Sequence, residues 1–317
     1  MAQTLRHIGF NIDHGGLDYG EIISLSKLGE EASYDSIAFY DHLYSMTGEN
    51  ELCLETWSLL PALALESNKV KLLPLVTNNL FRHPGVLAKM AASLDNLSAG
   101  RLIFGIGAGW YEKEALDFGY KFPNLKTRLE MLDESLQVIS KLWTEDKATF
   151  KGRYYSLEDA ESLPKPTRKP PILIGGKARG VLELVAKHAD MCNFTLRGLE
   201  VKRCEKLLQT LQEICDKQGR DYNLISKTIS GPCFFAESKE DLEKELVQDS
   251  KRRGMSLEET RKFYESSSLF GTVDQIIDQV EQYEKVGIEG MMLRFNKQKQ
   301  AEKARAFSTM IMPKVKG

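Results

Sequence analysis

Short apolar runs recur along the chain, and each is followed by a longer stretch whose apolar residues return every three or four positions. The runs HIGFNI (7–12), SIAFY (36–40), KLLPLV (71–76), LIFGIG (102–107), PILIG (171–175), MCNFT (191–195), SKTISGPCFFA (226–236) and GMMLRF (290–295) have the length and residue types of buried strands. The intervening stretches 19–33, 54–67, 84–97, 126–143, 178–188, 200–218, 239–253 and 272–286 have helical periodicity. Pro84 stands at a helix start, where its missing N–H does no harm.

Strands alternating with helices argue for a parallel sheet with crossover helices. Eight such units within 317 residues predict an α/β fold, a (β/α)8 TIM barrel forming one domain over 1–317, rather than a doubly wound sheet. Three segments exceed simple connections: 108–125, 144–170 and 252–270. The second carries Pro164, Pro166 and Pro170, with Pro171 just after it, and so cannot be a regular helix. These insertions are expected at the carboxyl-terminal face of the barrel.

Composition narrows the function classes. Apolar residues make up 42% and charged residues 28%, enough for a large core. Basic residues number 43 and acidic ones 45, so the net charge of −2 gives no nucleic-acid footprint. The opening MAQTLRHIGFNID lacks the apolar stretch of a signal peptide, and no run of about 18 apolar residues suggests a membrane span. The expected location is the cytoplasm. The five cysteines are scattered and read as buried reduced thiols, and the five histidines show no metal-ligating spacing, so no metal site is expected.

The stretch RLIFGIGAGW (101–110) runs from a strand into glycines at 105, 107 and 109. A dinucleotide fingerprint G-x-G-x-x-G would need glycine at 110, where Trp110 stands, and would sit in the first βα unit. In a barrel, chemistry gathers instead where the strands end. The residues there are Asp41 and His42, Thr77 to Asn79, Gly107 to Trp110, Gly175 to Lys177, and Asn193 and Thr195. Each also has a structural reading: Asp41 and His42 as caps, the asparagines and Gly175–Gly176 as turn residues, Trp110 as packing. The functional reading of Gly175–Gly176 is a phosphate held by N–H groups near a helix start.

On these residues the chain resembles the bacterial-luciferase-like superfamily, in its coenzyme F420-dependent oxidoreductase branch. The resemblance rests on YDHL (40–43), the long match from LETWSLL to GYKFP (54–123), LEMLDESLQVISKLW (129–143), FKGRYYSL (150–157), PKPTRKPPILIGGK (164–177), LELVAKHADMCNF (182–194) and GTVDQIIDQVEQYEKVGIEGMML (271–293). It implies a TIM barrel with a deazaflavin at the carboxyl face. It implies a non-proline cis peptide at Leu75–Val76 behind the ring, Asn78 at the ring's polar edge and His42 facing its reactive side. It further implies Gly107, Ala108, Gly109 and Trp110 along the cofactor channel and Gly175, Gly176 and Lys177 at its phosphate. Relatives acting on sugar phosphates carry a glutamate where Trp110 stands, which argues against such a substrate here. The Gly175–Gly176 turn also lacks a further glycine that many relatives carry two residues later.

The implied activity is hydride transfer between coenzyme F420 and a small organic substrate, with His42 exchanging the proton, Asp41 orienting it, and Glu112 as a second candidate. The alternatives are an FMN-dependent monooxygenase on the same barrel, and a flavin-binding protein without catalysis. Resemblance also suggests a homodimer near strands 2 and 3, for which LETWSLLPALAL (54–65) is apolar enough.

Overall fold

The computed structural model describes residues 5–46 and 51–316. The chain begins with β1 (His7–Asn11), α1 (Tyr19–Glu31), β2 (Ser36–Phe39), α2 (Thr56–Glu66), β3 (Lys71–Pro74), β4 (Thr77–Asn78) and α3 (Pro84–Leu97). It continues with β5 (Phe104–Gly107), α4 (Glu112–Asp117), α5 (Leu125–Thr144), β6 (Ala148–Lys151), β7 (Ser156–Ala160), β8 (Ile172–Gly175), α6 (Arg179–His188), β9 (Met191–Thr195) and α7 (Val201–Gln218). The last part holds β10 (Ser226–Ala236), α8 (Lys239–Arg253), α9 (Leu257–Ser267), β11 (Leu269–Thr272), α10 (Val273–Lys285), β12 (Gly290–Arg294), α11 (Gln300–Met310) and α12 (Met312–Val315).

The main sheet runs β3-β2-β1-β12-β10-β9-β8-β5-β4, all neighbours parallel. A bridge between Leu72 and Leu102 joins its two ends and nearly closes the barrel. This is the TIM barrel the sequence predicts, with its third strand broken. Helix ends follow local chemistry: Asp18 with Glu21, and Ser256 with Glu259, form capping boxes that satisfy otherwise orphaned N–H groups. Gly219 closes α7 in the left-handed conformation that favours glycine.

Strand alternation builds two cores. Ile8, Phe10, Ile37, Phe39, Met291 and Leu293 face outward into the large core beneath the helices. Ala38, Leu73, Ile103, Leu173 and Met292 face inward and plug the lumen. Leu75, Val76 and Met191 rest on that plug, half-buried.

Three expectations about the connections change. The predicted run 71–76 is not continuous: it breaks after Pro74, and the Leu75–Val76 peptide is cis, where the resemblance implies it. The helix at 239–253 is not a barrel helix. Together with α9 and β11 it forms an insertion between β10 and α10, with its own small core around Phe234, Leu246 and Tyr264. The barrel's last helix is instead α11, in a stretch with too few apolar residues to reveal itself; it buries Ala304 and Phe307 together with the polar Gln300 and Lys303.

The 144–170 insertion also departs from its expected place. It follows α5 and so starts at the amino-terminal end of the strands. Its hairpin, β6 paired antiparallel to β7, then runs back along α5. Glu134 accepts hydrogen bonds from the N–H groups of Arg153, Tyr154 and Tyr155 at 2.7, 2.8 and 3.1 Å and pins the hairpin tip. Segment 108–125 follows β5 directly and 252–270 belongs to the insertion that follows β10, so both lie on the carboxyl side of their strands.

Candidate active site

Past Phe39 the chain leaves β2 as Tyr40–Asp41–His42. Asp41 is buried, and its carboxylate accepts from the Asn78 N–H at 2.9 Å and from both Arg82 terminal nitrogens at 2.7 and 2.9 Å. Arg82 also pairs with Glu55. Asp41 thus ties the end of β2 to the broken third strand. It does not orient His42, contrary to the sequence expectation, because its oxygens are committed to Asn78 and Arg82.

The residue that orients His42 is Glu114, on α4. The His42 ring Nδ1 lies 2.8 Å from Glu114 Oε2, while Glu114 Oε1 accepts from the N–H groups of Leu43 and Tyr44 at 2.6 and 3.0 Å. The Glu114 side chain is fully buried. A carboxylate can only accept, so Nδ1 carries its hydrogen and Nε2 is left for other partners. Nε2 makes no hydrogen bond among the described residues. Glu112, the candidate named from the sequence, is exposed on the outer side of the same helix. The one signal for Glu114 was its place beside Ala115 on the inward side of α4.

Aromatic rings enclose His42. Trp110 meets it edge-on at 5.6 Å between centroids and stacks on Tyr111 at 5.3 Å. Trp110 is 63% exposed, so packing alone does not account for it. On the other side Tyr40 lies 5.7 Å from His42 and 4.1 Å from His14. Burial pushes the His14 imidazole down to about 4, which keeps that ring neutral. Cys53 reaches the His42 carbonyl oxygen at 3.7 Å; burial, then the Glu114 charge, pushes its thiol up to about 11.

The apolar floor is the broken strand. A Cβ on Gly107 would stand 2.8 Å from Val76 Cγ2, and one on Gly105 only 2.0 Å from the Pro74 carbonyl oxygen. These glycines therefore admit the displaced third strand itself, not a ligand directly, as the sequence suggested. Val76 touches the place of a Gly175 Cβ as well, so Leu75–Val76, Gly107 and Gly175 form one ledge. Asn78 accepts from Leu80 N–H at 3.1 Å through Oδ1 and lies against Gly109. Ala108 is buried between them in sequence and Gly176 follows the ledge with φ 140°.

Lys177 turns from the ledge toward β9 and donates to the carbonyls of Thr195 and Arg197 at 3.1 and 2.7 Å. Arg203 donates to the Gly198 carbonyl at 2.8 Å. Lys177, Arg197 and Arg203 have no carboxylate partner among the described residues. Burial, then Arg203 and Arg197, pushes the Lys177 ammonium below its ordinary value. Uncompensated cations that repel one another suit an anion. The sequence reading named Lys177 but missed both arginines, which approach it only through the β9–α7 turn.

The strand-end set therefore lies around one mouth, linked through Asp41–Asn78, Asn78–Gly109, Val76–Gly107, Val76–Gly175 and His42–Trp110. A surface cavity of about 410 Å³ lies at the opposite end, lined by Glu31, Ser33, Met312 and Lys316, and contains none of these residues.

An F420-dependent glucose-6-phosphate dehydrogenase from Microbacterium testaceum (strain StLB037) is 31% identical over 204 residues, 63% of this chain and 60% of that one. The pyrimidine monooxygenase RutA from Acinetobacter baylyi is 29% identical over 215 residues, 66% of this chain and 53% of that one. The chain thus matches less than two thirds of the length of either relative. The structure of an F420-dependent secondary alcohol dehydrogenase with an F420–acetone adduct superposes with a TM-score of 0.84 at 19% identity, covering 99% of this chain and all of that one; this is a likeness of fold. Residues 4–290 match the luciferase-like monooxygenase family, and the chain belongs to that family.

Proposed function

We propose that this chain is a coenzyme F420-dependent oxidoreductase acting on a small organic molecule. The observation that carries the reading is His42, held by the buried Glu114 with Nε2 unpartnered, at the same mouth as the apolar Leu75–Val76 ledge. Leu75 and Val76 would hold the flat ring system, Asn78 and Trp110 its edges, and Ala108 and Gly109 its channel, with Gly107 seating Val76 behind the ring. Gly175, Gly176 and Lys177 would hold its phosphate. Bound there, the deazaflavin supplies a carbon that donates or accepts a hydride. The chain's own part is to place the substrate and to exchange a proton at His42 Nε2. Glu114 keeps Nδ1 protonated meanwhile. Asp41 acts at a distance, by fixing Asn78.

F420 is favoured over FMN by two supports. Relatives that match this chain are named for F420. The coenzyme also carries carboxylates beyond its phosphate, and Lys177, Arg197 and Arg203 offer more cationic charge than one phosphate requires. An FMN-dependent monooxygenase is the second reading, favoured by the relative RutA.

The test is a titration of the purified protein with F420 and separately with FMN, followed by tryptophan fluorescence because Trp110 borders His42. Micromolar F420 binding, weakened by salt and far tighter than FMN binding, is expected. Tighter FMN binding would replace this reading by the second. A homodimer would use the exposed Leu65 and Val86 on α2 and α3, since most of the apolar 54–65 stretch packs inward; light scattering tests it. A cytoplasmic location is consistent with no helix among the described residues being long and apolar enough to cross a membrane.

A further inference from the structure

The wall of the mouth formed by β1 and β12 carries polar groups that the hydride-transfer reading does not use. On β12, Met291 and Leu293 face the outer core and Met292 the lumen, so Arg294 follows Met292 onto the lumen side. On β1, Ile8, Phe10 and Ile12 face outward, and a Cβ on Gly9 would meet Met292; Asn11 and Asp13 therefore share the lumen side. Phe10 pairs with Leu293, which sets Asn11 beside Arg294.

None of these groups is fully satisfied. Arg294 is half-buried and makes no hydrogen bond or ion pair among the described residues. Asn11 Oδ1 and Asp13 Oδ1 are buried without a hydrogen-bond partner, in residues 9% and 3% exposed. Buried polar atoms rarely stay unpaired, so such a set marks a place where something else binds. The neighbouring Lys297 is paired with Glu51 at 2.7 Å and is not the missing partner. The charges of Arg294, then Lys297, act on Asp13, whose carboxyl burial pushes above its ordinary value. Just past Asp13 the chain packs on Tyr40, where a Cβ on Gly15 would stand 2.8 Å from the Tyr40 hydroxyl, and the Tyr40 ring lies 5.7 Å from that of His42. The wall and His42 therefore face one space.

We propose that Arg294, Asn11 and Asp13 form the substrate subsite and select a small hydroxy- or keto-carboxylate. A guanidinium matches a carboxylate in two parallel hydrogen bonds. The Asn11 amide can turn to donate through Nδ2 to the same carboxylate, and Asp13 balances the charge of Arg294, which leaves the single hydroxyl proton of the substrate for His42 Nε2. One cation beside an acidic residue suits a single negative charge better than a doubly charged phosphate. The proposal rests on the F420 reading for the reaction it serves.

The experiment measures binding by calorimetry to protein loaded with F420, with the F420 affinity of every sample determined first. The probes are lactate and β-hydroxybutyrate, their neutral counterparts isopropanol and sec-butanol, and glycerol phosphate. At least one carboxylate is expected to bind, and Arg294→Met to weaken it about tenfold or more, with F420 affinity unchanged. Asn11→Asp, which sets a charge against the anion, should weaken it as well while Arg294→Lys retains part of it. Circular dichroism checks that each variant is folded. Equal binding of neutral and anionic probes, tighter binding of glycerol phosphate, carboxylate binding that survives Arg294→Met, or no binding of any probe would each overturn the proposal. Failure to bind F420 would instead overturn the cofactor reading, and the F420 titration separates the two.

Discussion

Val76 occupies the space that a side chain on Gly107 would need: its Cγ2 lies 2.8 Å from where that Cβ would stand. The third strand and the glycine-rich exit of β5 therefore fit as one unit. Gly107→Ala should cost about 1–3 kcal/mol through overpacking, and Val76→Ala in the same chain should recover part of it. Urea midpoints of the two single variants and the double variant measure the coupling. Additive losses would separate the two residues.

The His42–Glu114 pair yields a second prediction. His42→Ala should lower turnover by roughly 10²–10⁴ if the ring exchanges the proton. Glu114→Gln should change the pH profile of turnover and lower its maximum while F420 binds nearly as well, because an amide can also donate and so no longer dictates which ring nitrogen is protonated. A profile identical to the parent's would leave Glu114 with a packing role only.

Asp41 should behave as a structural group. Asp41→Ala leaves Arg82 half-satisfied and the Asn78 N–H unpaired, and should cost about 3 kcal/mol or more in stability. Denaturation curves check the loss. Cofactor affinity should fall with it, since Asn78 and the ledge lose their tether.

Acid should weaken the fold through two buried histidines. Burial pushes both His7 and His14 down to about 4 from 6.5. The unfolded chain takes up these protons below 6.5, while the folded chain resists until near 4. The stabilisation is complete above the unfolded value and is lost as pH falls, by up to about 3 kcal/mol for each ring. Denaturation midpoints between pH 6.5 and about 5 should fall, and His14→Gln should flatten that slope. A slope unchanged by the substitution would assign the acid sensitivity elsewhere.

How much was legible follows from what each feature depends on. The alternation of apolar runs with amphipathic stretches stated the barrel, because burying one face of a strand or helix leaves a periodic mark in the chain. The His42, Leu75–Val76 and Gly107–Trp110 cluster is legible because a barrel gathers its chemistry where the strands end. α11 is not, because a helix whose buried face mixes Gln300 and Lys303 with Ala304 and Phe307 leaves little apolar pattern.

The sequence by itself determined the eight barrel strands and most of the helices between them, the strand-end residues and the family resemblance, all of which are written in local periodicity and short motifs. Tertiary structure alone decided that Glu114 rather than Asp41 holds His42, a contact across 72 residues of sequence. It alone decided that Gly105 and Gly107 make room for Pro74 and Val76, and that Arg294 stands beside Asn11. These are choices of partner between distant segments. Charge, hydrogen-bonding capacity and size are readable in each residue, but which group satisfies which is settled only when the barrel closes.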